Sequence, residues 1–276
     1  MARTKRIQTI LLYVILTLGA LVMILPFYWM VATSLKSGSE AISVPPTWLP
    51  RNWLFSNYGQ ALEKAPFGRY FLNSVFVTTV TTAGELFTSI LAAYAFAKLK
   101  FWGKDILFLL LLATMMVPGE LMTIPNFVTL SSWKLVNTYW ALIIPWFASV
   151  FSVFTLKQNI QTIPDELYYA AKTDGASDWQ FLWEMVVPLS KSSIIAVMIL
   201  KVIGSWNSFL WPMIVTNSAP ELRTLPVGLQ AFTTEAGTQF ELLMAASTLV
   251  ILPMVIIYLL LQKYIIQGIS RSGLKG

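Results

Sequence analysis

The amino-acid sequence predicts an all-α membrane protein built from six transmembrane helices. Of its 276 residues, 56% are hydrophobic and only 12% are charged, which is about half the charged fraction of an average soluble domain. The apolar residues fall in long blocks, and the first of these, residues 7–35, contains no charged side chain. A helix needs roughly 20 apolar residues to cross a bilayer, so this block alone is long enough. We treat residues 1–276 as a single transmembrane domain.

Composition also excludes several kinds of site. The chain has no Cys and no His, which excludes disulfides, thiol catalysis and His-based metal sites. It has no GxxxxGKS or GxxxxGKT motif, so it does not bind ATP through a P-loop. Its net charge is +6, but the basic residues are scattered between apolar blocks rather than clustered as on a nucleic-acid-binding surface. We therefore expect a protein that is not an enzyme, with no cofactor, no metal and no nucleic-acid partner.

Six apolar segments give the predicted spans. They cover about residues 8–34, 70–97, 106–130, 135–156, 190–215 and 242–262. The first follows a basic N-terminus, as in a signal peptide, but its apolar region is about twice the usual 7–15 residues, so we expect a retained anchor. The third contains Pro118, Gly119 and Glu120, which predict a break in the helix. The loop 36–69 is rich in turn residues and interfacial aromatic residues, and is predicted to be external.

The distribution of basic residues predicts the orientation. With the N-terminus inside the cell, the inside segments hold eleven basic residues and the outside loops hold six. The inside set is Arg3, Lys5, Arg6, Lys98, Lys100, Lys104, Lys157, Lys172, Lys263, Arg271 and Lys275, and the outside set is Lys36, Arg51, Lys64, Arg69, Lys134 and Arg223. Because basic residues are enriched on the cytoplasmic side, we expect both termini, including the tail 264–276, to be cytoplasmic. The polar stretch 163–189 between the fourth and fifth spans is then cytoplasmic as well.

Residues 163–189, which we call the acidic loop, hold five of the thirteen carboxylates. Pro164 suits the first turn of a helix, and the two acidic residues after it complement the helix dipole. Gly175 can take the left-handed conformation that ends a helix, and Ser177 and Gln180 have the spacing of a capping box for a second helix. Periodicity alone also allows a helical hairpin that lies on the bilayer surface. One face of the first helix consists of Leu167, Ala170, Ala171 and Asp174. Because its two alanine side chains are small, another surface can approach this face closely.

Residues 166–176 of the acidic loop read ELYYAAKTDGA and are followed by Phe181 and Pro188. This pattern resembles the EAA loop of ABC importer permeases. Five further strings are similar to carbohydrate-importer permeases of the maltose-transporter type: LAAYAFAKLK at 91–100, MVPGE at 116–120, NTYWAL at 137–142, WNSFLWP at 206–212 and GLKG at 273–276. Glu85 departs from the resemblance, because Gln or an apolar residue is expected there, so no family role is assigned to it.

This resemblance implies a function and a set of partners. The chain would be the smaller, six-span permease of a pair in an ATP-driven sugar importer, located in a bacterial or archaeal cell membrane. Its partners would be a second, dissimilar permease, two copies of a P-loop ATPase that binds the ATP, an extracytoplasmic sugar-binding protein, and membrane lipid.

The resemblance also implies three contact regions. The acidic loop would be a cytoplasmic coupling helix that docks on the ATPase through Glu166, Ala170, Ala171, Asp174, Gly175, Ala176 and Phe181. An external loop would meet the binding protein through Thr233, Thr234, Glu235, Ala236 and Gly237. The glycine-rich tail 267–276 would insert between the ATPase subunits.

Charged and aromatic residues inside the spans are candidates for the translocation pathway. Glu85 lies about fifteen residues, or roughly 22 Å, into its predicted helix, and could pair with Lys201, face the pathway or snorkel to the interface. Trp206, Asn207 and Trp211 have the chemistry to stack on a sugar and to hydrogen-bond it. An aromatic belt at the membrane surface would give the same pattern.

Two other functions fit part of the sequence. One is a self-sufficient, ion-coupled secondary transporter with Glu85, Lys191 and Lys201 as a relay. That class predicts internal repeats with paired broken helices, and the two halves of the chain show no convincing repeat. The other is an ABC permease for glycerol phosphate or another polyol, which the sequence does not distinguish from a sugar permease.

Overall fold

The computed structural model describes the backbone of residues 2–234 and 237–273, and the side chains of residues 8–234, 237–260 and 262. The described residues are mostly helical, as the sequence predicts, with one small two-stranded sheet.

The helices, in chain order, are α1 (Ala2–Ser34), α2 (Gly38–Ala41), α3 (Ser56–Lys64), α4 (Phe67–Lys98), α5 (Lys104–Thr114), α6 (Thr123–Ser132), α7 (Tyr139–Ile143), α8 (Val150–Gln161), α9 (Asp165–Thr173), α10 (Asp178–Gln180), α11 (Val187–Leu189), α12 (Lys191–Trp206), α13 (Leu210–Val215), α14 (Leu225–Gly228) and α15 (Phe240–Gly273). Short 3-10 helices cover Gly119–Met122, Ile144–Trp146, Pro220–Leu222 and Leu229–Phe232, and a π-helix covers Phe181–Val186. Strands β1 (Thr233–Thr234) and β2 (Gly237–Thr238) pair antiparallel.

Three of the described helices are each long and apolar enough to cross a membrane. They are Gln8–Ser34, Phe67–Lys98 and Phe240–Leu260. Three helix pairs pass the same test only when joined across a bend: Lys104–Thr114 with Gly119–Ser132 at 92°, Tyr139–Trp146 with Val150–Gln161 at 41°, and Asp178–Leu189 with Lys191–Trp206 at 78°. By length and composition, the described part of the chain therefore holds three candidate spans, or up to six if each bent pair is one span.

Several predicted spans are interrupted helices, and local chemistry explains where they break. The break predicted near Pro118 is present, between the end of α5 and a 3-10 helix. The segment 135–156 breaks after Pro145, which lacks the N–H donor that a continuing helix needs. After this break α8 begins, and Ser149 caps its N-terminus because the Ser149 hydroxyl accepts a hydrogen bond from the Ser152 N–H. The segment 190–215 is interrupted between α12 and α13.

The chain forms two compact units, one of residues 1–67 with 228–253 and the other of residues 68–227 with 254–276. In the first unit, the loop after α1 folds around Lys36, which is only 1% exposed. The Lys36 ammonium donates to the Thr47 carbonyl at 2.5 Å and lies 4.2 Å from the centroid of the Trp29 ring. Asn57 donates to the carbonyls of Ser34 and Lys36. This cation is therefore part of the folded core of the unit rather than a free loop charge.

In the second unit, one close approach fixes the packing of the middle of α4. A Cβ added at Gly84 would clash with the Phe147 ring, so that one of the two would have to shift. Thr88, one helical turn further on, donates a hydrogen bond to the Phe147 carbonyl. The absence of a side chain at Gly84 therefore lets the break between α7 and α8 lie directly against α4.

We predict that Gly84→Ala destabilises the protein. The added methyl group overpacks this contact, at a cost of about 1–3 kcal/mol, which exceeds the roughly 0.5–1 kcal/mol that alanine gains over glycine in a helix. The measurement is the midpoint of thermal unfolding of the purified protein in detergent, and the midpoint should fall.

The matched control is Gly204→Ala in α12, where an added Cβ meets nothing within 4 Å. This variant should unfold at the wild-type temperature or above it. Equal shifts in the two variants would show that the Gly84 contact has no special role.

Candidate functional site

A cavity of about 350 Å³ lies within the second unit. One face of α4 lines it with residues spaced by three, four and seven: Ser74, Val77, Thr78 and Glu85. One face of α12 does the same with Val197, Leu200, Lys201, Gly204 and Ser205. The remaining walls come from Leu142, Trp146, Ser149, Phe151, Ser152, Ser208, Trp211, Pro212 and Thr224. The cavity thus runs along two helices that each present a single face to it.

An ion pair joins these two helices at the cavity wall. The Lys201 ammonium lies 2.6 Å from one carboxylate oxygen of Glu85, and the two side chains are only 13% and 5% exposed. Ser152 donates to the other Glu85 oxygen at 2.6 Å, and Lys201 also donates to the Trp146 carbonyl at 3.3 Å. Of the three possibilities that the sequence allows for Glu85, the structure shows pairing with Lys201, at a position that also faces the cavity.

A second polar contact joins α4 and α12 one helical turn away from the ion pair. The hydroxyls of Thr81 and Ser205 lie 3.1 Å apart, so α4 and α12 run antiparallel with residue 81 opposite 205 and residue 85 opposite 201. Because both contacts join the same two helices, the register between them is fixed at two levels.

The aromatic candidates divide into two groups. Trp211 lines the cavity beside Trp146, with the ring centroids 6.2 Å apart, and its indole N–H donates to the Ala141 carbonyl. Trp206 is buried against Phe71 instead and is not among the residues that line this cavity. Asn207 is exposed and also lies outside the lining. The structure therefore brings together Glu85, Lys201 and Trp211 but not Trp206 and Asn207.

Of the residues that line this cavity, sequence reasoning named only Glu85, Lys201 and Trp211, and it missed the others, among them Trp146, Ser152 and Thr224. Thr224 is 5% exposed, and its hydroxyl has no hydrogen-bond partner among the described residues. The helical spacing of small and polar residues along α4 and α12 was a usable signal for the cavity. No comparable signal marks Thr224, which lies in an irregular segment before α14.

The acidic loop has the local structure that its sequence predicts. Helix α9 begins after Pro164, and Gly175 follows it with a φ of +84°. Ser177 accepts from the Gln180 N–H while the Gln180 side chain accepts from the Ser177 N–H, which completes the capping box. The loop is therefore α9 and a second helical segment, made of α10, the π-helix and α11, joined by a turn that needs glycine.

Two carboxylates attach the acidic loop to the end of α4. Asp178 accepts hydrogen bonds from the hydroxyls of Tyr94 and Tyr168 at 3.2 and 2.9 Å, and pairs with Lys172 at 3.0 Å. At the start of α9, the ammonium of Lys98 lies 2.6 Å from Asp165. This hydrogen bond from Lys98 lowers the pKa of Asp165 below its usual value. Tyr94 and Lys98 are one turn apart on α4, so a single helix end holds both halves of the loop.

The predicted coupling residues differ in exposure. Glu166, Ala170, Asp174 and Gly175 are exposed, and Ala171 and Ala176 are half-buried. Phe181 is only 1% exposed and packs with its ring centroid 5.2 Å from that of Tyr168 and 6.4 Å from that of Tyr94. Phe181 therefore attaches the loop to α4 by packing against it, and only the other predicted coupling residues are accessible to a partner.

The predicted contact with a binding protein falls at the two-stranded sheet. Thr233 and Thr234 form β1, and Gly237 begins β2 with a φ of +121°. Glu235 and Ala236 lie outside the described residues, as do residues 274–276 of the tail.

The family model described as "Binding-protein-dependent transport system inner membrane component" matches residues 85–271 of the chain. This region begins at Glu85 and includes the acidic loop and all of α12. The chain belongs to this family. The resemblance to ABC importer permeases that the sequence motifs indicate is thereby confirmed.

Relatives of this permease match it over nearly its full length. It is 35% identical over 281 residues to the inner membrane ABC transporter permease protein YcjP of Escherichia coli (strain K12), covering 100% of both chains. It is 31% identical over 280 residues to the sn-glycerol-3-phosphate transport system permease protein UgpE of Yersinia pestis bv. Antiqua (strain Antiqua), covering 99% of each. It is 34% identical over 260 residues to the arabinooligosaccharides transport system permease protein AraQ of Bacillus subtilis (strain 168), covering 93% of this chain and 92% of that one.

The fold of the permease is also similar to that of a solved importer. The structure superposes on a chain from the crystal structure of a bacterial ABC transporter involved in the import of the acidic polysaccharide alginate, with a TM-score of 0.84 and 25% identity. The match covers 95% of this chain and 98% of the other. The protein is therefore a multi-pass membrane permease with the fold of an ABC importer permease.

We predict that Asp178→Asn loosens the acidic loop of this permease. The substitution removes the charge that Lys172 and two tyrosine hydroxyls share. Because the Asp178 side chain is 47% exposed, solvent screening reduces the cost to about 1 kcal/mol. This corresponds to a roughly fivefold larger population of the locally opened loop. Amide hydrogen exchange across α9 should rise by about that factor.

Asp174→Asn is the matched control, because Asp174 is an exposed carboxylate of the same loop. Its exchange rates should stay at the wild-type level. If both variants behaved alike, the network around Asp178 would not hold the loop.

Proposed function

We propose that this chain is the smaller permease subunit of an ATP-driven sugar importer, where it forms half of the translocation pathway and couples it to a separate ATPase. The observation that carries the proposal is the exposed, small-residue surface of the acidic loop, which is held rigidly to α4. A surface helix without a partner would not need two carboxylate anchors and a buried phenylalanine to fix its orientation.

In this proposal the chain crosses the membrane six times: the spans are the three long helices, the first two bent pairs, and α12 together with α13, which follow the acidic loop. Both termini and the acidic loop are cytoplasmic, in keeping with the excess of basic residues in those segments. The partners are a second, dissimilar permease, two copies of a P-loop ATPase and an extracytoplasmic sugar-binding protein. The chain itself binds no ATP, and hydrolysis occurs in the partner.

The chemistry of the acidic loop suits docking in a cleft. Ala170 is exposed and small, so a partner can approach the backbone of α9 closely. Glu166, in the first turn, has no ion-pair partner among the described residues and offers its carboxylate to a basic group of the ATPase, next to a helix N-terminus that favours negative charge. Gly175 closes the helix without adding a side chain to the surface.

A carbohydrate is the proposed cargo. Two of the named relatives belong to transport systems for arabino-oligosaccharides and sn-glycerol 3-phosphate, and the similar solved transporter is involved in the import of an acidic polysaccharide. The cavity along α4 and α12 combines indole rings with hydroxyl groups, which is the mixture that sugars require. The hairpin of β1 and β2, in the loop before α15, is the proposed contact with the sugar-binding protein.

The relay expected of an ion-coupled secondary transporter has no support. Lys191 is exposed and does not line the cavity, whereas Glu85 and Lys201 are paired with each other. A proton or ion path through all three residues would need them to lie in sequence along one passage.

We predict that Gly175→Val weakens the stimulation of ATP hydrolysis by the binding protein and sugar. An added Cβ at Gly175 meets nothing within 4 Å, so the effect comes from the positive φ, which costs a residue with a Cβ about 1–2 kcal/mol. The turn should rearrange and misplace the docking surface. In the complex reconstituted with its ATPase, binding protein and sugar, stimulated phosphate release should fall while assembly is retained.

Gly103→Val is the matched control, because Gly103 has a φ of +77° and equally open surroundings in a different loop. It should keep near-normal stimulation. Wild-type stimulation in Gly175→Val, or an equal loss in both variants, would contradict the proposed coupling role.

A further inference from the structure

We propose that the cavity between α4 and α12 is a saccharide subsite within this subunit, and that Glu85, by neutralising Lys201, makes it select neutral over anionic sugars. This inference rests on the proposed function, since it names the class of cargo and the residue that selects it.

The charge balance of the cavity is the first argument. Among the described residues that line it, only Glu85 and Lys201 are charged, and they lie 2.6 Å apart. The net charge of the lining is therefore zero. An anionic ligand would find no uncompensated cation there, and a buried charge without a partner is costly. A neutral ligand meets no such penalty.

The polar groups of the cavity suit a sugar. A carboxylate accepts hydrogen bonds and an ammonium donates them, so the adjacent Glu85 and Lys201 can hold neighbouring hydroxyls of one ring. At 95% burial, the Thr224 hydroxyl has no partner among the described residues and is available to a ligand. Trp211 has its N–H occupied by a carbonyl, which leaves its ring as an apolar wall beside Trp146. An apolar lining with a few placed polar groups is typical of ligand sites.

The length of the cavity favours more than one sugar ring. Ser74 and Glu85 both line it and are separated by eleven residues of α4, or about 16 Å at the helical rise. Thr224 belongs to the Ser74 end, because the N–H of its neighbour Leu225 donates to the Ser74 hydroxyl at 2.8 Å. The Thr224 hydroxyl and the Glu85–Lys201 ion pair therefore lie at opposite ends of the cavity. Two rings of one oligosaccharide could each be hydrogen-bonded at one end.

A cysteine reporter tests both parts of the proposal. The chain has no Cys, so Ser208→Cys places a single thiol of this subunit in the cavity lining, and Ser132→Cys places one on an exposed helix end as a control. The assembled transporter is treated with neutral, anionic and cationic methanethiosulfonate reagents, and labelling of this chain is followed by intact mass.

Occupancy is measured first, without any change to the ion pair. A panel of neutral trisaccharides, namely arabinotriose, maltotriose and xylotriose, is compared with sn-glycerol 3-phosphate. At least one trisaccharide should slow labelling of Ser208→Cys severalfold, and glycerol phosphate should not. The proposed subsite would be overturned if glycerol phosphate alone protected the thiol, or if no ligand protected it. It would also be overturned if the thiol of Ser208→Cys did not react while that of Ser132→Cys did.

Selectivity is then measured in charge variants. Glu85→Gln should raise the rate of the anionic reagent relative to the neutral one by about tenfold, the order expected for a freed unit charge nearby at an effective dielectric constant of roughly 20. Lys201→Met should favour the cationic reagent, and the double variant should restore the wild-type ratio. Unchanged ratios would overturn the role of Glu85. Failure of the ATPase to associate with the complex would instead overturn the proposed function.

Discussion

The ion pair between Glu85 and Lys201 is the interaction on which the membrane part of the second unit depends. A charged side chain in a hydrocarbon span is tolerated only when it is paired or faces a polar cavity, and here both conditions hold. The pair also sets the register of α4 against α12, which the contact between Thr81 and Ser205 repeats one turn away.

The same two helices carry the acidic loop at their other ends. Tyr94 and Lys98 of α4 hold it through Asp178 and Asp165, and α12 begins directly after it. From the first residue of α12 to Lys201 is ten residues, or about 15 Å of helix. A force applied to the loop therefore reaches the cavity wall through one short, continuous helix. In the proposed importer, this is the path by which an ATPase would change access to the sugar.

Local structure, namely caps, turns and helix breaks, could be predicted from the sequence. The packing of residues that are far apart in the chain could not. The capping box at Ser177, the glycine turn at Gly175 and the break at Pro118 depend on neighbouring residues, and all three are present. Phe181 lies inside the loop because α4 supplies Tyr94 beneath it, a contact between residues far apart in the chain. Trp206 and Trp211 belong to one sequence string, but the break between α12 and α13 turns them toward different surroundings. The pairing of Glu85 was one of three open possibilities until α12 could be placed beside α4.

The exposed face of α9 is the surface that we propose meets an ATPase. The most direct measurement replaces Ala170 with a photo-crosslinking amino acid in the native host and identifies the captured protein by mass spectrometry. We expect the principal crosslinked partner to be a soluble subunit with a P-loop, and the same amino acid placed at the exposed Ser132 to capture none of it. Crosslinks from Ala170 to lipid alone, or to a protein without a P-loop, in an otherwise intact complex would contradict the proposed contact.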